Sequence, residues 1–502
     1  MAATPNPLPP DQKSFIDRVL SLFTDVRAGE GLTAALMLIN VFLLLTCYSV
    51  IKIIREPLIL MGGGAEVRSY AAAGQAIVLM AFLPAYSWFA SKVDRVKLLV
   101  GVTVFFAINI ELFALAVAAR MPFVGVAFFI WVGIFNSSVI AQFWSYANDI
   151  YDKPTGDRLF PVIMIGMTAG APLGSYIAGH LFGLGFTPQV IIQISAVLLL
   201  TTLGLYLFVN RRQPRQARTA APLAATGGFQ LVFQSPYLRL IAMLIVLLNV
   251  VNTTGEYLIA RLLTAHATAL AAANPGFNAQ GYIGAFTGNY QLGVNIVAFL
   301  LQAFVTSRVV KYGGLKAALL ALPFIAFGGY AIVAAGAGFA IVRWVKTAEN
   351  ATDYSIMNTA RQLLWLPTTR EEKYKAKQTI DTFFMRGGDV LSALVVYVGT
   401  TAIQLSVGGF ATCNVILTIV WIVLALRILK YNDALTRVAR PAAVVATAAL
   451  IVGLTSVPVQ AREMTCGRSA ARICGPASGA DRTPVHASLR QASPRPRGAR
   501  AS

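Results

Sequence analysis

The sequence predicts an all-α polytopic membrane protein with twelve transmembrane helices in two six-helix halves. Three observations predict it. The first is composition: 57% of the 502 residues are hydrophobic and 12% charged, with a mean hydropathy of +0.66, whereas soluble domains carry about 25% charge. The second is the run of apolar stretches. A hydrocarbon core of about 30 Å needs roughly 20 apolar residues per helix, and twelve such stretches begin near Leu32, Tyr70, Leu98, Pro122, Leu159, Gln189, Tyr237, Tyr282, Leu315, Phe339, Ala376 and Gly408. The third is the cation pattern. Lys and Arg cluster before the first stretch (Lys13, Arg18, Arg27) and after every even-numbered one, as in Lys92, Arg95 and Lys97 or Arg211, Arg212, Arg215 and Arg218, while alternate loops such as LGFTPQ hold none. Cytoplasmic loops hold the cation excess, so the N-terminus and the end of the twelfth helix are expected on the cytoplasmic side of a bacterial inner membrane.

The net charge of +20 does not imply nucleic acid. Its cations sit in short clusters between apolar stretches rather than along one soluble face. Four cysteines occur, Cys47, Cys413, Cys466 and Cys474, without metal-ligand spacing or a disulfide framework. The first residues carry Pro and acids before any long apolar run, and no cleavable signal peptide is expected. No GxxxxGK[ST] loop occurs, which argues against a pump driven by ATP hydrolysis. The chain is expected to be no enzyme, with no catalytic residues, metal or cofactor.

The expected division is a cytoplasmic segment 1–31, a six-helix half 32–209, a Pro, Ala and Arg-rich linker 210–236, a second half 237–435, and 436–502. In the last, 441–458 is a short apolar stretch closed by prolines, expected to lie at the interface, and 461–502 holds eight Arg and no Lys, a composition that predicts disorder. Weak internal similarity supports the two halves: ASKVDRVKLL (90–99) echoes TSRVVKYGGLKAALL (306–320), and ANDIYDKPTGDR (147–158) echoes ARQLLWLPTTRE (360–371). Repeated six-helix halves are a mark of major-facilitator-type transporters.

Ionisable residues inside membrane helices are costly and mark functional sites. Lys52, Arg55 and Glu56 follow some twenty apolar residues of the first helix, so they sit at its outer end or within the membrane. In the seventh helix Asn249, Asn252 and Glu256 are spaced three and four apart, which puts them on one face, either as a packing network or as a cavity lining. The fourth helix ends in polar residues including Asn148 and Asp149, with Arg158 beyond it. The tenth carries Arg343, Lys346, Glu349, Asp353 and Arg361, more charge than a lipid-facing helix holds, although Lys346 and Glu349 can pair within the helix. In REEKYKAKQTIDTFFMRGGD (370–389), Arg386 lies about ten residues into the eleventh helix. It is either the partner of Asp381 or Asp389 or a planar fork of donors for an anion such as phosphate.

FWSYANDIYDKPTGDRLFPVIMIGMTAG, REPLILMGGGAEVRSY and residues 370–389 together resemble the ATP/ADP antiporter family, the nucleotide translocases of plastids and intracellular bacteria, and more closely its relatives in free-living bacteria. The likeness spans roughly residues 30–435. It implies a twelve-helix major-facilitator-like fold and nucleotide exchange, with Arg55 and Glu56 at the family's basic-acidic pair after the first helix, Glu256 at its seventh-helix glutamate and Arg386 at its eleventh-helix basic residue. One acid of the family falls on Val132, which widens the expected substrate to phosphorylated or other anionic metabolites.

The substrate-binding expectation is therefore Arg55, Glu56, Asn252, Glu256 and Arg386, with Asn148, Asp149, Arg158, Lys346, Glu349, Asp353 and Arg361 lining or gating the cavity. The expected partners are a nucleotide-like anion and the lipid bilayer, with no nucleic acid, and the protein functions as a monomer. Two alternatives remain: a proton-coupled symporter or exporter of another metabolite, with Glu256 and Asp149 carrying protons, and a non-transporting membrane sensor or scaffold.

Overall fold

The computed structural model describes residues 13–455 apart from 23, 91, 152, 213–226 and 370, and of 87, 95, 153, 374 and 437–455 the backbone alone. The basic linker is largely outside the described residues, as are 456–502, including the tail read as disordered and the last three residues of the 441–458 stretch. Every regular element described is helical. In order these are α1 (Phe15–Leu20), α2 (Gly31–Ala90), α3 (Arg95–Ala118), α4 (Val124–Ile150), α5 (Lys153–Gly183), α6 (Pro188–Arg212), α7 (Gly228–Gln234), α8 (Pro236–Ala273), α9 (Ala279–Leu300), α10 (Ser307–Ala334), α11 (Phe339–Thr352), α12 (Asn358–Leu363), α13 (Lys377–Thr379), α14 (Met385–Tyr397) and α15 (Val407–Thr455).

Among the described residues nine helices are long and apolar enough to cross a membrane, fewer than the twelve expected. Two physical causes account for the difference. The 60-residue α2 would be about 90 Å long at 1.5 Å per residue, three times a bilayer core, and it is interrupted at Gly64, whose φ of 74° and ψ of −172° lie outside the helical region. The rod of α9 and α10 is interrupted in the same way at Gly314, with φ 62° and ψ −162°. Glycine alone adopts such angles cheaply, so each break lets one continuous helix reverse as two arms. The second cause is charge: Arg343, Lys346 and Glu349 keep α11 out of an apolar count.

Helices in lipid have no hydrophobic drive toward one another, so close backbone approach holds them together. Gly166, Gly170 and Gly174 of α5 lie one turn apart, and a Cβ on any of them would collide with the carbonyl oxygen of Leu38, Phe42 or Thr46 on the first arm of α2. Further along α5, Gly179 touches Gly288 of α9 backbone to backbone. At the other end of the same two helices a gap of about 540 Å³ opens, lined by Met164, Thr168, Ile296 and Phe299.

The buried apolar residues form two clusters. One runs from Leu20 to Val209. The other is built mainly from Val232 to Leu429, joined by Ile59, Leu60, Ala65, Ala71 and Phe129 from the first part of the chain. Those five residues bring the reversal at Gly64 and the facing turn of α4 against the second cluster.

The segment before α2 is held by Asp17. Its buried carboxylate accepts from the backbone N–H of Ser14 at 2.8 Å and of Gly31 at 2.7 Å. Burial pushes this carboxyl upward, but hydrogen bonds from the Ser14 side chain and from the backbone of Gly29, Ser14 and Gly31 outweigh burial and hold it below its ordinary range. Arg158 of α5 pairs with Glu30 at 3.0 Å.

Candidate functional site

A cavity of about 310 Å³ lies where α2, α8, α9, α11 and α14 converge, and its walls are as much polar as apolar. The five residues expected to bind substrate, Arg55, Glu56, Asn252, Glu256 and Arg386, all line it. The structure adds Lys52, Arg68, Tyr290, Gln291, Asn350 and Asp389.

Charges here are joined in a chain that crosses from one half of the sequence to the other. Glu56 accepts from Arg55 at 2.6 Å and from Arg68 at 2.6 Å. The reversal at Gly64 makes this possible, because it turns the second arm of α2 back so that residue 68 faces residue 56. Arg68 continues to Glu256 of α8 at 3.5 Å. Glu256 in turn lies 3.8 Å from Lys346 of α11 and accepts from Asn350 at 2.7 Å. Lys346 is bound by Glu349 at 2.9 Å and by the side-chain oxygen of Asn252 at 2.9 Å, and the Tyr330 hydroxyl donates to Glu349 at 2.7 Å. Each charge has an opposite neighbour, which offsets the cost of holding it away from water. Near the chain, Tyr257 of α8 donates to Glu66 at 2.9 Å, a second polar link between the same arms.

Two cations are held more loosely. Lys52 donates to the neutral Gln291 at 3.2 Å, and among the described residues no carboxylate lies within ion-pair distance of it. Arg386 pairs with Asp389 at 3.3 Å and is 28% exposed, while Asp389 is also bound by Asn249 at 2.7 Å and Thr253 at 3.1 Å. Asp389 keeps those neutral donors if Arg386 turns toward a ligand, so the guanidinium can leave its partner at small cost. Arg55 stacks over Phe129, 4.0 Å from the ring centre, which fixes its fork on the cavity side.

The gating candidates divide. Lys346 and Glu349 belong to the charge chain. Asp353 opens a π-helical turn, Asp353–Met357, which carries Tyr354 to the cavity wall. Arg361 pairs with Asp381 at 3.2 Å, outside the lining. Asn148 is exposed at the end of α4 and Asp149 half-buried beside it, and neither lines the cavity. Arg158 does not either. It donates to the Asp25 carbonyl and to Glu30, a clamp on the segment before α2. These three sit beyond the apolar run of α4, where a polar residue costs little and carries little information about function.

Sequence reasoning missed Arg68, although three glycines between an acid and an arginine, Glu56 to Arg68, are a readable sign of a reversal that brings the two together. Asn350 and Gln291 carry no charge and gave no signal beyond their place in apolar runs.

No family model matches the chain. It is 22% identical over 306 residues to "ADP,ATP carrier protein 3" of Rickettsia typhi, covering 51% of this chain and 58% of that one. It is 21% identical over 357 residues to "ADP,ATP carrier protein 1" of Chlamydia pneumoniae, covering 61% and 66%. The chain thus spans less than two thirds of the length of these relatives. Among solved structures, it superposes on the nucleoside transporter NupG with a TM-score of 0.53 at 16% identity, covering 79% of this chain and 98% of that one. A POT family transporter in complex with 5-aminolevulinic acid matches with a TM-score of 0.57 at 13% identity, over 85% and 98%. The chain is a multi-pass, all-α membrane protein of major-facilitator-like fold, similar over about half of its length to ADP,ATP carrier proteins.

Proposed function

We propose that the protein is a secondary active transporter that exchanges a nucleotide-like, phosphorylated anion by alternating access. The observation that carries this reading is the excess of cations on the cavity wall: Lys52, Arg55, Arg68 and Arg386 against Glu56, Glu256 and Asp389. Lys52 and Arg386 are the two free to turn to a ligand. Planar guanidiniums match phosphate oxygens two at a time, and similarity to ADP,ATP carriers supports a phosphate-bearing substrate. In this reading the chain crosses the membrane twelve times with its N-terminus in the cytoplasm, residues 32–209 and 237–435 move as two bodies, and no ATP is hydrolysed.

The contacts suggest how exchange is enforced. The Gly64 end is held shut by Arg68–Glu256, by Tyr257–Glu66 and by the Gly179–Gly288 contact. At the other end a gap of about 540 Å³ lies between α5 and α9. Pulling the two bodies apart while the cavity is empty would part Arg68 from Glu256, and since each keeps other partners the cost is about 1–2 kcal/mol. A bound polyanion gives Arg55 and Arg68 a new partner and removes that penalty. A loaded protein therefore switches more readily than an empty one, which favours exchange over one-way flux.

Proteoliposomes preloaded with a panel of nucleotides test this. Uptake of a labelled nucleotide should depend on internal counter-substrate and persist without a proton gradient. Absence of stimulation by every internal nucleotide would overturn exchange. Glu349, 3% exposed and hydrogen-bonded by Tyr330, favours a second reading in which a buried carboxylate carries a proton. Under that reading an uncoupler stops the flux.

A further inference from the structure

A second cavity of about 830 Å³, separate from the charged one, is a trough formed by α8, α14 and α15. Its walls are apolar, with Met243 and Val246 from α8, Leu391 from α14 and Val420 from α15. Among its lining residues Arg239 and Arg427 alone are charged. We propose that this trough binds one anionic phospholipid, acyl chains along the apolar wall and phosphate between the two guanidiniums.

Position supports this. Arg239 stands three residues from the start of α8 at Pro236, and Arg427 twenty residues from the start of α15 at Val407. Both line the one trough, so the end of α8 that begins with Pro236 lies beside a late turn of α15. From Arg239 to Val250 the trough extends about 16 Å at 1.5 Å per residue, half of a 30 Å hydrocarbon core and so the depth of one leaflet. Phe233 and Phe384, also on the lining, meet with ring centres 6.3 Å apart, an aromatic pair near the arginine end of the kind found at the headgroup level.

Charge complementarity selects the occupant. Both arginines are exposed, and among the described residues neither side chain has an ion pair or a hydrogen bond. Two arginines on an otherwise apolar wall repel each other and face a phase that solvates them poorly, which a phosphodiester corrects. A soluble metabolite does not fit, since beyond the two arginines the wall has nothing polar to hold it. A phosphatidylcholine would bring its own ammonium against the pair, so the preference is for a lipid of net negative charge.

Native mass spectrometry of the full chain in mild detergent, with dioleoyl phosphatidylglycerol or dioleoyl phosphatidylcholine added, tests this. The wild type should retain the anionic lipid about tenfold or more over the zwitterionic one, the scale expected of two arginines at a lipid surface. Arg239→Gln with Arg427→Gln should bring the two to parity. Met243→Trp, which fills the trough and leaves both arginines, should lower retention of both lipids. If the double variant does not insert, the wild-type preference and Met243→Trp decide. Equal retention by the wild type, a preference that survives the double change, displacement by inorganic phosphate at equal concentration, or a lipid-free dimer seated on this face would each overturn the proposal.

Discussion

Arg68 and Glu256 hold together parts of the chain nearly two hundred residues apart, and their coupling can be measured. At 3.5 Å two unit charges attract by about 5 kcal/mol at an effective dielectric of about 20. The net value is smaller. Glu256 is 24% exposed, and without Arg68 it keeps Lys346 at 3.8 Å and Asn350 at 2.7 Å. Glu56 likewise keeps Arg55 at 2.6 Å. The remaining coupling is about 1–2 kcal/mol, a factor of roughly five to thirty. Arg68→Gln, Glu256→Gln and the double change should be compared by equilibrium unfolding of purified protein in mixed detergent micelles. The double variant should be more stable than the sum of the single losses by that amount. Additivity within about 0.5 kcal/mol would show that the two residues do not interact and would refute the lock drawn from them. A charge swap, Arg68→Glu with Glu256→Arg, should not rescue, because the new carboxylate would meet Glu56 where Arg68 now stands at 2.6 Å.

Arg386→Ala should fold, since Asn249 and Thr253 still bind Asp389, yet lower apparent nucleotide affinity about tenfold or more, read by thermal shift; a lost yield restored by Asp389→Asn would make its role structural instead. Gly170→Leu should cost about 3 kcal/mol, the upper end for overpacking, because the new side chain meets the Phe42 carbonyl; normal folded yield would contradict the α2–α5 packing. Asp17, held below its ordinary 3.8, contributes stability that is present above that pH and lost as pH falls through the lowered value; Asp17→Asn should flatten this acid-side loss in hydrogen exchange at Gly29 and Gly31.

The apolar rods were legible because lipid requires long apolar runs, and each described stretch from Leu32 to Gly408 falls on helix. Their count was not. Gly64 and Gly314 break helices by a backbone angle that leaves no trace in hydropathy, while α11 carries its charges toward a cavity and so resembles no apolar span. Four of the five expected contacts, Arg55, Glu56, Glu256 and Arg386, sit on the wall because a charge in mid-helix has few other places to go, and Asn252 shares the face of Glu256. Asn148, Asp149 and Arg158 looked similar as letters, but they lie past the apolar run of α4, the first two at its end and Arg158 in the first turns of α5. Asn350 and Gln291 stayed hidden because their value is relational: each matters through the partner it meets, Glu256 or Lys52, and a one-dimensional pattern carries no partner.

The meeting of Gly179 with Gly288 has a bearing on how this protein can change. A contact made of main chain on both sides has no side chain to exchange for another of equal size, so neither position can drift alone. One methyl at either site acts as a wedge between α5 and α9 at the Gly64 end. Gly288→Ala should therefore shift the resting population toward the arrangement open at that end, leaving every charged side chain unaltered. It offers a way to capture the opposite face of the cycle without altering the groups that meet the cargo.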